Sequence, residues 1–168
     1  MAPGVPFGLF RRRPKRGRVD RVAPWLYLGP ALDEGGYRDL RDQGVTHVVD
    51  LRAEDADDDA LMAALGLRWR RMPIPDRAAP APEQLDELLS WLTAESAGLD
   101  EPVVYLHCHA GLGRSPTVAI ALLMHRDILL ADAHRQVRAA RPGAQPTAAQ
   151  DAFLEALARR LDASTAKG

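Results

Sequence analysis

The sequence predicts an α/β fold with a central, mostly parallel sheet of four to five strands that is flanked by helices. Short apolar runs of strand length alternate along the chain with longer segments that have the spacing of amphipathic helices. The clearest unit covers residues 102–124, where an apolar run, a loop with two glycines and a second, longer apolar run follow one another. This order is typical of a strand, a tight turn and a buried helix.

The length and composition fit one folded domain. The chain has 168 residues, of which 46% are hydrophobic, and a chain of this size buries a core of its own. Its one cysteine, Cys108, excludes an internal disulfide and fits a reducing compartment. No apolar run approaches the ~20 residues that cross a bilayer. We therefore expect a cytoplasmic monomer without a transmembrane segment.

The domain is predicted at residues 22–165, preceded by a disordered basic arm at residues 1–21. The arm has seven basic residues against one aspartate, a balance of +6 that leaves −7 for the rest of the chain. Prolines and glycines interrupt it, and it lacks apolar periodicity. The arm is expected either to bind an anionic partner, such as lipid headgroups or nucleic acid, or to be a solvated tail. Six of the seven basic residues are the candidates for contact with such a partner: Arg11, Arg12, Arg13, Lys15, Arg16 and Arg18.

Four segments are predicted to form strands. The first ends at Gly29-Pro30 and the third at Pro73-x-Pro75, because proline cannot continue a hydrogen-bonded ladder. Arg52 follows the second strand, at the end of the sheet where α/β proteins bind ligands, and is either a substrate contact or a surface arginine. The strands are predicted at residues 25–29, 45–51, 67–74 and 102–106.

Helices are predicted between and after these strands. Leu85, Leu88, Leu89 and Leu92 recur at the spacing of one buried helix face. An acidic run at residues 54–59 is interpreted as the decoration of a helix N-terminus, with a carboxylate metal site as the alternative. The helices are predicted at residues 31–44, from 60, from 83, at 115–124, at 130–140 and near the C-terminus after the loop at 141–147.

The most informative stretch is residues 107–115, His-Cys-His-Ala-Gly-Leu-Gly-Arg-Ser. Its loop, residues 109–113 (the anion loop), is small enough for successive backbone N–H groups to surround a tetrahedral oxyanion, and the guanidinium of Arg114 closes the ring. Ser115 is predicted to cap the helix that follows. The positive end of that helix favours a bound anion and the thiolate form of Cys108.

Two other interpretations of this stretch are weaker. A lone buried cysteine in a turn is common, but it leaves the glycines and Arg114 without a purpose. A metal site formed by His107, Cys108 and His109 is disfavoured because neighbouring side chains on an extended segment point in opposite directions.

The pattern of Cys108, five intervening residues, Arg114 and Ser115 resembles the signature of the cysteine-dependent protein phosphatases. The small size resembles their atypical dual-specificity branch. The resemblance implies metal-free hydrolysis of phosphomonoesters, without a cofactor, through a cysteinyl-phosphate. It implies that Cys108 is the nucleophile, that Arg114 and the loop amides hold the phosphate, and that Ser115 donates a hydrogen bond to the sulfur. The loop residues are His109, Ala110, Gly111, Leu112 and Gly113.

Asp76 lies in a segment rich in proline and alanine between the third strand and the helix from residue 83. By itself, an aspartate in such a loop is most often a turn residue. The resemblance implies that it is the general acid. In the family a later Gln or Asn helps to place the hydrolytic water, and here Pro146 departs from that pattern. Gln145 and Gln150 are the candidates, and the alternative for Gln150 is a solvent-facing position early in the last helix.

The expected substrate is a phosphorylated protein or peptide, with phosphotyrosine and phosphoserine/threonine both open. A lipid headgroup, a nucleotide or a sugar phosphate is the alternative substrate class. His109 and Leu112 weaken the lipid hypothesis, because lipid-directed relatives tend to carry lysine at these positions. Three hypotheses lie outside phosphatase chemistry: a rhodanese-like sulfurtransferase, a non-catalytic module that binds phosphopeptides, and a nucleic-acid-binding protein that uses the basic arm.

Overall fold

The computed structural model describes residues 17–96 and 100–167. Its strands are β1 (Asp20–Ala23), β2 (Leu26–Pro30), β3 (His47–Arg52), β4 (Arg68–Ile74) and β5 (Val104–Cys108). They form one sheet in the order β1-β2-β5-β3-β4. Strand β1 is antiparallel to β2, and the other three pairs of described strands are parallel. The predicted mostly parallel sheet is therefore confirmed.

Each predicted helix is present, with boundaries within a few residues of those expected. Asp58 caps the second helix by accepting hydrogen bonds from the backbone N–H groups of Ala60 and Leu61, which agrees with an acidic helix start. The helices are α1 (Glu34–Asp42), α2 (Asp59–Leu65), α3 (Pro82–Glu95), α4 (Arg114–Met124), α5 (Leu130–Ala140) and α6 (Ala148–Thr165).

The predicted arm is shorter than expected at its C-terminal end, because β1 begins at Asp20, before the boundary set at Val22. The side chain of Asp20 is buried and forms an ion pair with Arg141 Nη1 at 2.7 Å. That partner lies far away in the sequence, so local composition gave no sign of it. Residues 1–16, which hold most of the predicted arm, lie outside the described residues.

Helix α4 is the centre of the core. All of its residues, Arg114 to Met124, are buried, and it packs against β2, β5, α5 and α6. Burial of a large aliphatic side chain contributes ~1.5–3 kcal/mol, so this helix firmly anchors the end of the anion loop, which it follows directly. A second apolar cluster, with Tyr37, Leu40 and Met62, covers the other face of the sheet.

The carboxyl ends of β3, β4 and β5 meet at one edge of the sheet, because the three strands are parallel neighbours. Three loops therefore converge there. They are the anion loop after β5, the β3 loop (residues 53–58) and the acid loop (residues 75–81) after β4. None of the helices in the described part of the chain is both long and apolar enough to cross a membrane.

Candidate active site

The anion loop joins the end of β5 to the start of α4. Cys108 is the last residue of the strand and Arg114 the first of the helix, and each is 3% exposed. The backbone N–H of Gly111 donates a hydrogen bond to Cys108 Sγ at 3.2 Å. A donor to the sulfur stabilises negative charge on it. The loop thus turns back over the cysteine that precedes it.

Two expectations for Ser115 are not met in this structure. Gly113, rather than Ser115, is the N-cap residue of α4, because the helix begins at Arg114. The Ser115 hydroxyl is buried and makes no hydrogen bond with the described residues. The donor to the Cys108 sulfur is the Gly111 amide instead.

Gly111 is required by the shape of the loop. Its φ is +71°, and a Cβ atom built there would lie 2.5 Å from the carbonyl carbon and oxygen of Gly29. Left-handed backbone disfavours other residues, and contact with main-chain atoms cannot be relieved by a rotamer change. The position therefore demands glycine for two independent reasons.

Two contacts from outside hold the anion loop. Arg141 Nη2 donates to the Ala110 carbonyl at 2.8 Å, and the backbone N–H of Gln145 donates to the Leu112 carbonyl at 2.8 Å. Both contacts use carbonyl oxygens, so neither occupies a loop N–H group. Arg141 also bonds the Arg18 carbonyl at 2.9 Å, which links the loop to the segment before β1.

The Arg114 guanidinium has five N–H donors. Nη1 donates to Glu54 Oε2 at 2.7 Å and to the Ile74 carbonyl at 3.0 Å, and Nη2 donates to Glu54 Oε1 at 2.8 Å. These three bonds leave the Nε–H and one Nη2–H without a hydrogen-bond acceptor among the described residues. The two remaining donors share one edge of the group, which is the geometry that holds two oxygens of a phosphate.

Glu54 therefore has a different role from the one its sequence suggested. It precedes α2, which begins at Asp59, and it binds Arg114 with both carboxylate oxygens. The hydrogen bonds from Arg114 are the main cause that lowers the pKa of Glu54 to about 2, and they raise the pKa of Arg114. The carboxylate stays ionised and fixes the guanidinium in one orientation.

Asp76 is the second residue of the acid loop. Its side chain is 79% exposed, and its Oδ1 lies 3.7 Å from Arg114 Nη2. Two bonds from the start of α6 hold the residues that follow it: Thr147 Oγ1 donates to the Arg77 carbonyl and Gln150 Nε2 to the Ala78 carbonyl, both at 2.9 Å. The acid loop is thus tied to the last helix while Asp76 itself faces solvent.

An open cleft of about 830 Å³ lies where these loops converge. Cys108, Arg114 and Asp76 all line it, together with Glu54 and Leu112. The structure therefore brings the predicted nucleophile, phosphate ligand and general acid to one site. Their chemical roles stay predictions.

The two candidate glutamines differ in exposure. Gln150 is fully buried, and its Oε1 accepts from the Thr147 backbone N–H at 2.9 Å, so the expectation of a solvent-facing residue is wrong. Its amide is engaged at both ends, by Thr147 and Ala78. Both glutamines line the cleft, and of the two only Gln145 is exposed.

Comparison with known proteins agrees with this geometry. Residues 27–127 match the family described as "Polymorphic toxin system, DSP-PTPase phosphatase". Human dual specificity phosphatase 28 is 33% identical over 132 residues, which cover 75% of this chain and 69% of the relative. The chain belongs to the dual-specificity phosphatase family. Protein tyrosine phosphatase PRL-1 of Leishmania major is also 33% identical, over 64% of this chain and 65% of the relative. The chain spans about a fifth of human dual specificity protein phosphatase 8 (20%).

Solved structures of phosphatases have the same fold. Tk-PTP in its active form superposes with a TM-score of 0.74 at 31% identity, over 84% of this chain and 97% of that one. Human DUSP28 superposes with a TM-score of 0.70 at 32% identity, over 86% and 95%. PTPMT1 has a TM-score of 0.78 at 20% identity, over 90% and 100%, and that likeness concerns the fold. A cysteine-dependent phosphatase is thereby confirmed.

The sequence did not predict the cluster of buried polar side chains that lies behind the anion loop of this dual-specificity phosphatase. Arg52 is neither a substrate contact nor a surface residue, because its side chain is 8% exposed and holds Asp50 through Nε and Nη2 at 3.0 and 2.9 Å. Asp50, Asp57 and His107 place possible metal ligands within 4.8 Å of one another. Hydrogen bonds from protein groups already engage the carboxylates of this set, which makes it a poor fit for a cation.

Sequence reasoning missed Glu54, Asp57 and Arg141 as parts of the site. The sequence did contain a signal for Glu54 and Asp57, because both follow β3, which is next to β5 in the sheet. Functional groups of α/β proteins commonly lie at the carboxyl ends of neighbouring strands. No local signal marked Arg141, which reaches the anion loop only because α5 ends beside it.

Proposed function

We propose that this phosphatase hydrolyses phosphorylated proteins or peptides, with Cys108 as nucleophile, Arg114 as phosphate ligand and Asp76 as general acid. The observation that supports the proposal is the shared cleft, in which three loops contribute these three side chains. Each group suits its task. The sulfur has a hydrogen-bond donor, the guanidinium has a free edge, and the carboxyl group is exposed to solvent.

In the first step the Cys108 thiolate attacks phosphorus in line with the leaving oxygen. The amides of the anion loop and the Nε/Nη2 edge of Arg114 hold the equatorial oxygens, where charge is spread in a loose transition state. Asp76 gives its proton to the leaving oxygen as the P–O bond breaks. The products are an alcohol or phenol and a cysteinyl-phosphate.

In the second step water attacks the cysteinyl-phosphate and Asp76, now a carboxylate, takes a proton from it. The P–S bond breaks, and the electron pair returns to sulfur as thiolate. The Gly111 N–H at 3.2 Å stabilises this leaving group, a task that sequence reasoning gave to Ser115. Gln145 suits placement of the water better than Gln150, because its side chain is exposed at the cleft.

The cleft supports a protein substrate. It is open and wide, at about 830 Å³, and Leu112 on its rim is 42% exposed, so an apolar or aromatic side chain can pack there. The structure of PTPMT1 in complex with PI(5)P has 19% sequence identity to this chain. It is the comparison for the hypothesis that the substrate is a lipid headgroup. Turnover of phosphotyrosine peptides, phosphothreonine peptides and soluble inositol phosphates under one set of conditions separates these classes.

The decisive variant is Cys108→Ser, assayed on that panel. A serine hydroxyl is not ionised at neutral pH, so we expect turnover to be abolished while the fold and phosphopeptide binding persist. Cys108→Ser activity within tenfold of the parent would show that the nucleophile lies elsewhere. Addition of a chelator to the parent is expected to leave turnover unchanged.

For the cellular context we propose a cytoplasmic monomer whose basic arm binds an anionic partner weakly. The positive charge of residues 1–16 supports the binding of an anion by the arm. Hydrogen bonds from Arg141 to the Arg18 carbonyl and the Ala110 carbonyl join the segment before β1 to the anion loop. Binding to anionic vesicles should weaken as salt rises and disappear on deletion of residues 1–16. Binding that survives the deletion would argue against the arm.

A further inference from the structure

The turn that carries Asp76 has an unusual residue at its third position. The backbone N–H of Ala78 donates to the Pro75 carbonyl at 3.0 Å, so Asp76 and Arg77 are the two central residues of a four-residue turn. The φ of Arg77 is +65°. A turn with a positive φ at this position favours glycine or asparagine, because a β-carbon crowds the backbone there. The shape of the turn therefore does not explain the arginine.

The other described non-glycine residue with a positive φ has a local explanation. Asp127, with a φ of +62°, follows α4, and its backbone N–H donates to the Met124 carbonyl at 3.1 Å. Helices commonly end in this conformation, and aspartate tolerates it. Arg77 ends no helix, and a tertiary contact holds it instead, since Thr147 Oγ1 donates to its carbonyl at 2.9 Å. Backbone strain that a neighbouring element maintains at a cleft is a signal of function.

The side chain of Arg77 is available to a ligand. Arg77 is exposed and lines the cleft, and no residue in the described part of the chain gives its guanidinium an ion pair or a hydrogen bond. The other acidic and arginine side chains of the cleft face one another, because Glu54 binds Arg114 and Asp76 lies 3.7 Å from the same guanidinium. Residues 22–168 carry a net charge of −7, so the attraction of Arg77 for an anion is local.

The place of Arg77 in the chain puts it on the substrate's side of the reaction. In the proposed first step, Asp76 gives its proton to the leaving oxygen, and that oxygen stays with the peptide. Arg77 is the next residue, and neighbouring Cα atoms are about 3.8 Å apart. It therefore stands close to the peptide chain, while the anion loop and Arg114 hold the phosphoryl group.

We propose that Arg77 is a specificity-determining residue that binds a second anionic group of the substrate, near the phosphorylated residue in the peptide sequence. A planar guanidinium suits a carboxylate or a second phosphate, since both offer two oxygens to its N–H fork. The inference rests on the proposed function, in which the substrate is a phosphorylated protein or peptide. It names the class of that peptide as acidic or doubly phosphorylated.

The test compares phosphotyrosine peptides that differ in one residue, which is asparagine, aspartate or phosphoserine at each of three positions on either side of the phosphotyrosine. Selectivity is kcat/KM for loss of the tyrosine phosphate, divided by the value for the asparagine peptide. At the best position we expect the parent to favour aspartate roughly 2–5-fold, the range of an exposed ion pair. Phosphoserine should be favoured more strongly, because its charge is larger. Arg77→Gln should bring both selectivities to about one, and Arg77→Lys should retain part of each.

Three controls isolate the side chain of Arg77. Arg159→Gln removes the same charge from the exposed face of α6, outside the cleft, and should keep the selectivity of the parent. Arg77→Gly removes the side chain and accepts a positive φ, so a loss of selectivity in this variant too cannot come from a distorted turn. Added salt should lower the selectivity of the parent and leave that of Arg77→Gln unchanged, since screening weakens an exposed ion pair.

The outcomes separate this inference from the proposed function. Equal selectivity in the parent, Arg77→Gln and Arg77→Gly overturns the inference, and so does a parent that favours neither anionic group at any position. In both cases the peptides are still hydrolysed and the proposed function stands. A parent that hydrolyses p-nitrophenyl phosphate but no peptide of the panel overturns the proposed function, and the inference with it.

Discussion

The β3 loop and the acid loop each bring one carboxylate to the guanidinium of Arg114. Glu54 from the β3 loop binds it with both oxygens, at 2.7 and 2.8 Å. Asp76 from the acid loop stays at 3.7 Å, with 79% of its side chain exposed against 46% for Glu54. Two acidic residues of the same dual-specificity phosphatase thus meet one cation in different ways.

The difference teaches how the fold assigns roles to similar side chains. A carboxylate that receives two hydrogen bonds from a guanidinium remains ionised and cannot act as a proton donor. Glu54 is therefore suited to orienting Arg114. A carboxyl group that stands in water, and that only approaches the cation, can exchange its proton with a substrate. The contacts, rather than the residue type, distinguish the carboxylate that orients Arg114 from the proposed general acid.

The largest effect on kcat/KM is expected from a substitution of Arg114, the cation that both carboxylates approach. In Arg114→Lys one ammonium group replaces the planar fork, so it cannot hold Glu54, the Ile74 carbonyl and a phosphate together. We expect kcat/KM to fall by roughly 10³–10⁵-fold, the range for an arginine that stabilises a phosphoryl transition state. Arg159→Lys, on the exposed face of α6, is the control. If Arg114→Lys bound inorganic phosphate as tightly as the parent does, the planar guanidinium of Arg114 would not be needed to hold the phosphate.

Asp76→Ala tests the acid side of the comparison. Proton donation contributes about 10²–10⁴-fold, and an alkyl alcohol needs the proton more than a nitrophenolate does. We therefore expect a larger loss of kcat for an alkyl phosphate than for an aryl phosphate. The basic limb of the pH profile should flatten while the acidic limb stays. Equal losses with an unchanged bell-shaped profile would make Asp76 a structural turn residue.

Glu54→Gln tests whether Glu54 orients the guanidinium of Arg114. The amide keeps one acceptor but loses the second charged hydrogen bond to Arg114, and a charged bond is worth about 1.5–3 kcal/mol. We expect kcat/KM to fall roughly tenfold, mainly through KM, with equal effects on alkyl and aryl phosphates. Glu155→Gln on the exposed face of α6 is the matched control. A selective loss for alkyl phosphates would mean that Glu54, rather than Asp76, donates the proton.

The smallest effect concerns pH. The pKa of Glu54 is lowered from 4.5 to about 2, first by its bonds to Arg114. A lowered pKa stabilises the folded state above the unfolded value of 4.5, and the contribution is lost as pH falls towards 2. Acid unfolding of the parent should therefore be steeper than that of Glu54→Gln below pH 4.5. At higher pH the acidic limbs of the kcat/KM profiles of the parent and of Glu54→Gln should coincide. A shifted limb in the variant would mean that Glu54 affects the ionisation of the nucleophile.

Much of the fold followed from local patterns. The four apolar runs predicted as strands became β2 to β5, and the spacing of Leu85 and Leu88 marked the buried face of α3. Strand β1 escaped prediction because it is short and its polar first residue, Asp20, is buried in ion pairs with Arg18 and the distant Arg141. Ser115 was misassigned as a cap because the helix begins at Arg114, two residues before the Pro116 that a Ser115 cap would place first.

The sequence by itself determined the chemistry of this protein, because the spacing of Cys108 and Arg114 around two glycines constrains a single tight loop before a helix. The tertiary structure alone decided what supports that loop. Glu54, Asp57 and Arg141 contact Arg114, His107 and Ala110 across 60, 50 and 31 positions of the chain. Which partner each residue meets depends on which strands are neighbours in the sheet. Contacts of that range depend on sheet order and side-chain burial, and neither is encoded in any local run of residues.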